Sequence, residues 1–270
     1  MLGPERIERW LAEDLGHHDV TNEVPGRTTG RFVAKEPGVV AGLDAAAAVF
    51  DYLGVAVTER LDDGTSVDSG EVVLRTEGPA KATLRAERTA VNLAGHAAGI
   101  ATRTRRAVHA AHEVDEDVRI AGTRKTTPGL RGVEKRAIVA GGGDTHRLDL
   151  SHMVMVKDNH VAELGLEGAV DHFRERVSFT TKIEVEVEDP DRAPRAAAAG
   201  ADIVMLDNMD PATTEDAVER LPEATLAEAS GGITVSDVPA YAATGVNVIS
   251  MGSLTHSASS LDLSFRTGDE

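Results

Sequence analysis

The stretch KIEVEVEDPDRAPRAAAAGADIVMLD, residues 182–207, contains the pattern that decides the fold. Its two ends, KIEVEVE and ADIVMLD, are short apolar runs typical of strands, and the alanine-rich segment 190–199 between them has helical character. A strand, a helix and a second strand in this order form a parallel pair joined by a right-handed crossover. The stretch therefore predicts one unit of a parallel α/β sheet.

The same spacing continues on both sides of this stretch. Five apolar runs each end at a polar residue or a glycine, namely Lys157, Glu186, Asp207, Ser230 and Gly252. These ends lie 21 to 29 residues apart, which suits one strand, one helix and two loops. Further helical segments are predicted at 161–176, 211–221 and 236–244. A series of such units tends to close into a barrel whose strand ends converge on one mouth, where barrel enzymes have their active sites.

The first hundred residues show strands and helices in a mixed order. We predict a helix at 1–14, strands on both sides of Glu36-Pro37-Gly38, an alanine-rich helix that ends at Gly54, further strands, and a long helix at 80–112. Alanine and glycine positions in the long helix would let another helix approach closely. The acidic run EVDED at 113–117 is the best linker candidate. We therefore expect a small α+β domain at 1–113 and a barrel domain at 114–255.

Composition limits the class of protein. The 270 residues include no cysteine, which excludes disulfides, thiolate metal sites and cysteine nucleophiles. Hydrophobic residues make up 41% of the chain but aromatic ones only 3%, so the core must consist mainly of Ala, Val, Leu and Ile. No apolar run reaches the roughly 18 residues of a membrane helix, and the N-terminus is charged and amphipathic. We expect a cytoplasmic protein with no membrane partner.

The charge pattern points to an anionic ligand. The chain has a formal charge of −17, and its cations are six lysines and 22 arginines. Such acidity predicts a surface adapted to high salt, as in a halophilic host, and leaves no basic face for nucleic acid. Against this background, residues 121–160 carry seven cations and four anions, a net charge of +3. A chance run on a solvated face is the alternative to a ligand site.

Charged residues at the predicted strand ends suggest chemistry. Lys157 could hold a phosphate or carboxylate, form a Schiff base, or simply reach water. Glu184, Glu186 and Glu188 alternate along one strand and share a face, so cations or a metal must oppose them if they point inward. Asp207 could join one of them in holding Mg²⁺. The alternative is a structural salt-bridge ladder with Arg124, Arg147 and Lys157.

Glycine and histidine residues are further candidates for a ligand site at the predicted barrel mouth. Ser230-Gly231-Gly232 and Gly252 follow the last two strands, where backbone N–H groups could approach a phosphate, although a turn alone would also explain them. His146 could be a general acid or base, but a positioning hydrogen bond fits it better. The long helix carries a polar face formed by Arg88, Asn92 and His96. Such a face is more often solvated than functional.

Seven motifs together resemble one family. They are AERTAVNLAGHAAGIATRT, GTRKTTPGLRGVEKRAIVAGGGDTHR, HMVMVKDNH, IEVEVE, MLDNM, EASGGI and ISMGSLTHSA, and with them the chain resembles quinolinate phosphoribosyltransferase almost from end to end. The resemblance implies an N-terminal open α/β sandwich domain followed by an incomplete parallel α/β barrel of the TIM type. It implies that the C-terminal tail, 256–270, packs back on the first domain. It also implies a homodimer, with higher assembly left open, in which Arg88 reaches the partner's barrel mouth.

The implied reaction joins quinolinate to phosphoribosyl pyrophosphate, with Mg²⁺ as cofactor. It gives nicotinate mononucleotide, pyrophosphate and CO₂ in the de novo synthesis of NAD. By the resemblance, the quinolinate pocket is formed by Arg88, Arg124, His146, Arg147 and Lys157. Lys125 and Lys157 are assigned to the ribosyl donor, and Glu186 and Asp207 to the ribose and to the metal. All four are assigned to catalysis. The 5′-phosphate is assigned to Ser230, Gly231, Gly232 and Gly252.

Three alternatives remain open at this point. A relative of the same fold could act on another acceptor, and some relatives are associated with molybdenum transport, but the retained Arg-Lys, His-Arg and Lys-Asp-Asn-His motifs favour quinolinate. A Schiff-base aldolase built on Lys157 would not depend on phosphoribosyl pyrophosphate. A non-catalytic anion-binding protein would not need the acidic pair beside the cations.

The acidic composition predicts how the protein responds to salt. If the excess of carboxylates is an adaptation to high salt, the melting temperature should rise between dilute and molar KCl, because salt screens the repulsion among these charges. A thermal melt at increasing KCl concentration measures this effect. A melting temperature that does not change would contradict the adaptation.

Overall fold

The computed structural model describes residues 3–268, which form two compact units, each discontinuous in sequence. The first unit contains the residues up to Arg105, Gly132–Gly142, and the residues from Ala258 onwards. The second unit contains Arg106–Arg131 and Gly143–Ser257. The predicted domains 1–113 and 114–255 are continuous segments, and their boundaries as independently folding domains stay a prediction. Residues 1, 2, 269 and 270 of the predicted first helix and tail lie outside the described residues.

Helices and strands follow one another along the whole described chain. The helices are α1 (Pro4–Leu15), α2 (Leu43–Tyr52), α3 (Ala80–His112), α4 (Arg131–Ala140), α5 (Asp158–Leu164), α6 (Leu166–Arg174), α7 (Ala193–Ala198), α8 (Pro211–Glu219), α9 (Val238–Ala242) and α10 (Ser253–His256). The strands are β1 (Arg27–Ala34), β2 (Gly38–Val39), β3 (Ala56–Arg60), β4 (Ser66–Val67), β5 (Val72–Pro79), β6 (Arg119–Ala121), β7 (Val154–Val156), β8 (Ile183–Val187), β9 (Ile203–Asp207), β10 (Leu226–Ser230), β11 (Val248–Ser250) and β12 (Leu263–Thr267). Within residues 3–268, no helix combines the length and the apolar character needed to cross a membrane.

The first unit is built on an antiparallel sheet. Among the described residues, this sheet has the strand order β12-β1-β5-β3, so the C-terminal strand pairs with β1. Phe32, Phe50 and Phe265 form an aromatic cluster in its core, with ring centroids 5.6 to 5.9 Å apart. Three of the few aromatic residues in the sequence are thus concentrated in one place. There each ring buries more apolar surface than Ala or Val would.

Helix α3 is approached at its glycines by extended chain rather than by another helix. The backbone N–H of Leu261 donates to the carbonyl oxygen of Gly95 over 2.9 Å. A Cβ atom at Gly99 would overlap the carbonyl oxygen of Ser259. The small residues of the predicted long helix are thus needed for the C-terminal segment, and α4 also lies close to α3, because Nε2 of His96 is 2.9 Å from a carboxylate oxygen of Glu134.

The second unit contains the parallel sheet that the spacing predicts. Its strand order in the described chain is β6-β11-β10-β9-β8-β7, and every pair is parallel. Strands β6 and β7 are the two edges, so the sheet is an incomplete α/β barrel, and the predicted fold class is confirmed. The predicted strands correspond to β7 through β11. The first strand, β6, was missed because three residues are too few for a visible period.

Two apolar clusters hold helices against this sheet. One joins β6, β10 and β11 to the end of α3 and to α9, and the other joins β7, β8 and β9 to α6, α7 and α8. Both consist of Ala, Val, Ile, Leu and Met. The predicted helix 161–176 is two helices, because Gly165 has a φ of 73° and ends α5. With the helices covering the outer face, the opposite face of each strand is left for polar side chains.

The close approach at Gly99 yields a prediction about stability. Gly99→Ala should lower the free energy of unfolding by about 1–3 kcal/mol, because the new methyl group must displace backbone of the C-terminal segment. Gly168→Ala in α6 is a matched control with the opposite sign. Its Cβ would have its nearest neighbour 4.0 Å away, so it should stabilise the helix by about 0.5–1 kcal/mol. Urea unfolding measures both, and equal effects would contradict the packing.

Candidate active site

The inner face of the parallel sheet carries acidic side chains from neighbouring strands. The register of β7 with β8 places Met155 beside Glu184, and the registers of β8, β9 and β10 place Glu186, Met205 and Glu228 in one row. Because parallel partners share a face and side chains alternate, these residues lie on the same side of the sheet. The fold therefore brings carboxylates that are 44 residues apart in sequence into one small region.

The three alternating glutamates do not share one environment. Glu184 is completely buried, Glu186 is half-buried and Glu188 is exposed. Burial raises the pKa of Glu184 to about 9, and the neighbouring Glu228 carboxylate contributes to the rise. Glu184 is thus a neutral acid at pH 7. Along the strand, the glutamates pass from the buried interior of the sheet at Glu184 to its solvent-exposed rim at Glu188.

An ion pair marks the rim itself. Lys157 directly follows β7, and its Nζ contacts a carboxylate oxygen of Glu186. Asp207 ends the next strand, and its pKa is raised, first by burial and then by the charge of Glu186, while Lys157 and Lys125 oppose the rise. Two carboxylates and two cations thus lie within electrostatic reach of one another at the carboxyl ends of the strands.

His146 and Arg147 lie deeper, beside the buried glutamates. The Nε2 atom of His146 is 3.0 Å from an oxygen of Glu228 and 3.6 Å from one of Glu184. Arg147 is 8% exposed, and its Nη2 contacts the sulfur of Met155 at 2.8 Å.

Burial lowers the pKa of Arg147, and the charge of Arg124 lowers it further, while Glu184, Glu228 and Glu186 raise it. Arg147 therefore belongs to the same electrostatic cluster as the glutamates, and so does Arg124. The predicted salt-bridge ladder and the predicted anion site thus occupy one place, as cations of the cationic segment oppose the inner carboxylates.

A glycine loop follows β10 beside Asn208, a residue with an unusual backbone conformation. Gly231 and Gly232 have φ angles of 99° and 63°, and Asn208 has a φ of 57°. A Cβ atom at Gly231 would overlap the side-chain amide of Asn208, so a larger residue would fit neither the angle nor the space. Asn208 donates through its backbone N–H to the carbonyl of Ser230 and through its amide to Asp207. The glycine loop is therefore tied to the acidic rim.

Lys125 lies beside the end of the last strand. A Cβ atom at Gly252 would be 3.0 Å from Cδ of Lys125, and the hydroxyl of Thr255 donates to the carbonyl of Lys125 over 2.6 Å. Gly252 thus leaves room for the lysine stem. In the second unit, the structure brings together eleven of the twelve residues named from the sequence: Arg124, Lys125, His146, Arg147, Lys157, Glu186, Asp207, Ser230, Gly231, Gly232 and Gly252.

Some of the predicted cations belong to the first unit. Arg88 belongs to the first unit, where its side chain is 60% exposed and 3.7 Å from Glu87. Lys135 and Arg136 lie on α4, which is also assigned to the first unit. The cationic segment is therefore divided between the two units.

Sequence reasoning missed two residues that the structure places in the cluster. Glu228 precedes Ser230 by two positions, so strand alternation alone puts it on the same face. Asn208 directly follows Asp207, and its left-handed backbone leaves no sequence signal beyond the general tolerance of asparagine for this conformation.

The buried glutamate predicts a pH dependence of stability. The folded chain keeps a proton on Glu184 that the unfolded chain, with a pKa of 4.5, releases, so this group makes stability fall as the pH rises from about 4.5 towards 9. Glu184→Gln should remove this slope, which can reach about 1.4 kcal/mol per pH unit. Urea unfolding at pH 5, 7 and 9 measures it. The exposed Glu188→Gln should behave as the wild-type protein, and a parallel slope for Glu184→Gln would refute the assignment.

Comparison with known families covers nearly the whole chain. Residues 19–98 match the N-terminal domain of quinolinate phosphoribosyl transferase, and residues 100–266 match its C-terminal domain. The two matches adjoin, as expected for one protein with both parts of the fold.

Individual relatives agree with this match. The chain is 47% identical over 268 residues to a probable nicotinate-nucleotide pyrophosphorylase (carboxylating) of Methanothermobacter thermautotrophicus, covering 96% of both chains. It is 40% identical to the human nicotinate-nucleotide pyrophosphorylase (carboxylating), covering 96% of this chain and 90% of the human one. The crystal structure of NadC from Streptococcus pyogenes is similar with a TM-score of 0.91 and 36% identity, covering 100% of this chain and 99% of that one. The chain therefore belongs to the quinolinate phosphoribosyl transferase family.

Proposed function

We propose that this chain catalyses the reaction of the enzymes it resembles, in which quinolinate and phosphoribosyl pyrophosphate give nicotinate mononucleotide, pyrophosphate and CO₂. The observation that carries the proposal is the Lys157–Glu186 ion pair beside Asp207, on the sheet face whose Met155 is in contact with Arg147. Both substrates are multiply anionic, and a site for them needs cations. A site that also has to stabilise positive charge on a ribose needs carboxylates.

The quinolinate pocket is assigned to the cationic side of the cluster. Arg124, His146, Arg147 and Lys157 would face the two carboxylates of the substrate. A guanidinium group matches a carboxylate with two parallel hydrogen bonds, which suits Arg147 because it is buried and its surroundings are fixed.

The ribosyl donor is assigned to the rim. Lys125 and Lys157 would meet the pyrophosphate, and the loop Ser230-Gly231-Gly232 with Gly252 would hold the 5′-phosphate through backbone N–H groups. The quinolinate nitrogen forms a bond to the anomeric carbon while the bond to pyrophosphate breaks, and pyrophosphate leaves with the electron pair. Positive charge that develops on the ribose would be stabilised by Glu186 and Asp207, and groups of this kind contribute on the order of 3 kcal/mol each.

Decarboxylation then follows from the chemistry of the product ring. After ribosyl transfer the ring nitrogen carries a positive charge, and the electron pair left by CO₂ is stabilised beside it until a proton adds to the carbon. The ring is its own electron sink, so the protein only has to hold the carboxylates and exclude competing orientations.

Glu186 and Asp207 fit the expected Mg²⁺. Both are oxygen donors, and the pKa of Asp207 is raised first by burial and then by the neighbouring charge of Glu186, two effects that a bound cation would offset. When bound, Mg²⁺ would neutralise charge on the departing pyrophosphate. Glu186 and Asp207 would hold it directly or through water.

Arg88 motivates the proposed homodimer. It lies in the first unit with an exposed guanidinium, whereas the other proposed pocket residues all belong to the second unit. A partner chain that supplies Arg88 would complete the cationic pocket. A cytoplasmic location follows from the donor, because a substrate with so many charges does not cross a membrane unaided.

Mixed dimers test the shared site. Arg88→Ala and Lys157→Ala homodimers should each be inactive. A mixed dimer of the two, purified through two different affinity tags, has one site with both native residues and should regain about half of the wild-type activity.

The matched control is a mixed dimer of wild-type chain with the double variant Arg88→Ala/Lys157→Ala. If the site is shared, each of its two sites lacks one residue and the dimer is inactive. If Arg88 serves its own chain, this control keeps about half of the activity and the first mixed dimer has none, which would contradict the proposal.

A further inference from the structure

Glu228 is a buried acid to which the proposed reaction gives no task. It lies in β10 with 1% of its surface exposed, in the run LAEAS two positions before Ser230. A buried carboxylate is costly unless it is compensated, so its surroundings indicate what it is for. Its Oε2 atom is 3.0 Å from Nε2 of His146.

His146 is held from two directions. Its φ of 50° is unusual for a residue with a side chain, and its backbone N–H donates to Oδ1 of Asp144 over 2.7 Å. The ring is then fixed at the other end by Glu228. Neither contact alone would determine the plane of the imidazole, but the two together leave it little freedom.

The same carboxylate also acts on the next residue. The charge of Glu228 opposes the lowering of the pKa of Arg147 that burial causes. Among the described residues, Oε1 of Glu228 and Nε of Arg147 are buried without a hydrogen-bond partner, an acceptor and a donor of opposite charge in one cluster. Glu228 therefore neighbours two consecutive side chains of the proposed pocket.

A metal site is the competing interpretation. His146, Glu184 and Glu228 each offer a ligand atom, and these atoms lie within 4.8 Å of one another. The guanidinium of Arg147 lies beside the same carboxylates, however, and its charge both compensates them and repels a divalent ion. The charges thus favour a role for Glu228 in holding protein side chains.

We propose that Glu228 is a positioning residue, which accepts a hydrogen bond from Nε2 of His146 and so orients the imidazole, beside Arg147, for the carboxylates of quinolinate. This inference rests on the proposed assignment of His146 and Arg147 to the quinolinate pocket. Glu228 itself touches no substrate in this scheme. Its removal affects quinolinate through His146 and leaves the phosphoribosyl donor alone.

Steady-state kinetics of Glu228→Ala and Glu228→Gln test the proposal, with each substrate varied separately. Glu228→Ala should raise the KM for quinolinate by about tenfold, as expected for loss of one buried hydrogen bond, with a much smaller change in kcat and in the KM for the donor. Glu228→Gln keeps an oxygen acceptor at the same place and should recover most of this loss. An unchanged quinolinate KM, or an equal rise for both substrates, overturns the proposal.

A second measurement keeps the test decisive if Glu228→Ala does not fold. The ¹⁵N chemical shifts of the His146 ring, assigned by comparison with His146→Ala, should change in Glu228→Gln, because an amide oxygen keeps the hydrogen bond but is a weaker acceptor than a carboxylate. They should not change in Thr214→Val, which alters another buried polar side chain of the second unit, on α8. Unchanged shifts in Glu228→Gln overturn the positioning role. So does a stoichiometric metal ion, found by elemental analysis of the purified protein, that Glu228→Gln loses.

The two measurements separate this inference from the proposed pocket. If His146→Ala leaves the quinolinate KM unchanged, the assignment of His146 to the pocket has failed. The ring shifts would then still report whether Glu228 orients His146.

Discussion

The burial of Arg147 beside the inner glutamates is the interaction on which the rest of the site depends. Glu184 and Glu228 are at most 1% exposed, and each is charged only at a high cost in free energy unless cations oppose it. Arg147 lies beside these glutamates and is only 8% exposed. Breaking a buried ion pair by removing one partner typically lowers stability by about 3–5 kcal/mol. The protein therefore keeps a guanidinium and an imidazole in fixed places before any ligand arrives. Side chains held this way lose little entropy on binding an anion, which would suit a pocket for a small dianion.

The parallel sheet supplies the second condition, a rim where residues far apart in sequence meet. Lys157, Glu186, Asp207 and Ser230 lie at or just beyond the ends of four adjacent strands, and the hydrogen bonds of Asn208 link the acidic rim to the glycine loop. In the proposed reaction, depth along the sheet separates two tasks. The dry interior with Arg147 would serve the ring carboxylates, and the wetter rim with its carboxylates and lysines would serve the ribosyl donor. Because both tasks use the same strands, the proposed reactants would meet where the two layers adjoin.

Much of this arrangement follows from the sequence, and the exceptions have physical reasons. The regular steps between strand ends predict the parallel sheet and the convergence of Lys157, Glu186 and Asp207, since chain length per strand–helix unit is a local property. The net charge of residues 121–160 treats them as one group, whereas Lys135 and Arg136 lie on α4 in the first unit. The alternation correctly predicts that Glu184, Glu186 and Glu188 lie on one face of the strand. It does not predict how deeply each is buried, which only the assembled sheet determines. The same alternation could have identified Glu228, whereas the backbone angle of Asn208 depends on tertiary contacts.

Quinolinate binding to the wild-type protein and to Arg147→Ala, measured by isothermal titration calorimetry, tests the central claim most directly. If the buried cluster holds Arg147 ready for the substrate, the variant should bind at least about a hundredfold more weakly, because a charged bidentate contact is lost. Arg147→Lys should recover only part of the affinity, since an ammonium group cannot make the paired contact. Arg176→Ala, an exposed arginine of the same unit, is the control and should bind as the wild-type protein. Equal affinities for wild type and a folded Arg147→Ala would contradict the account.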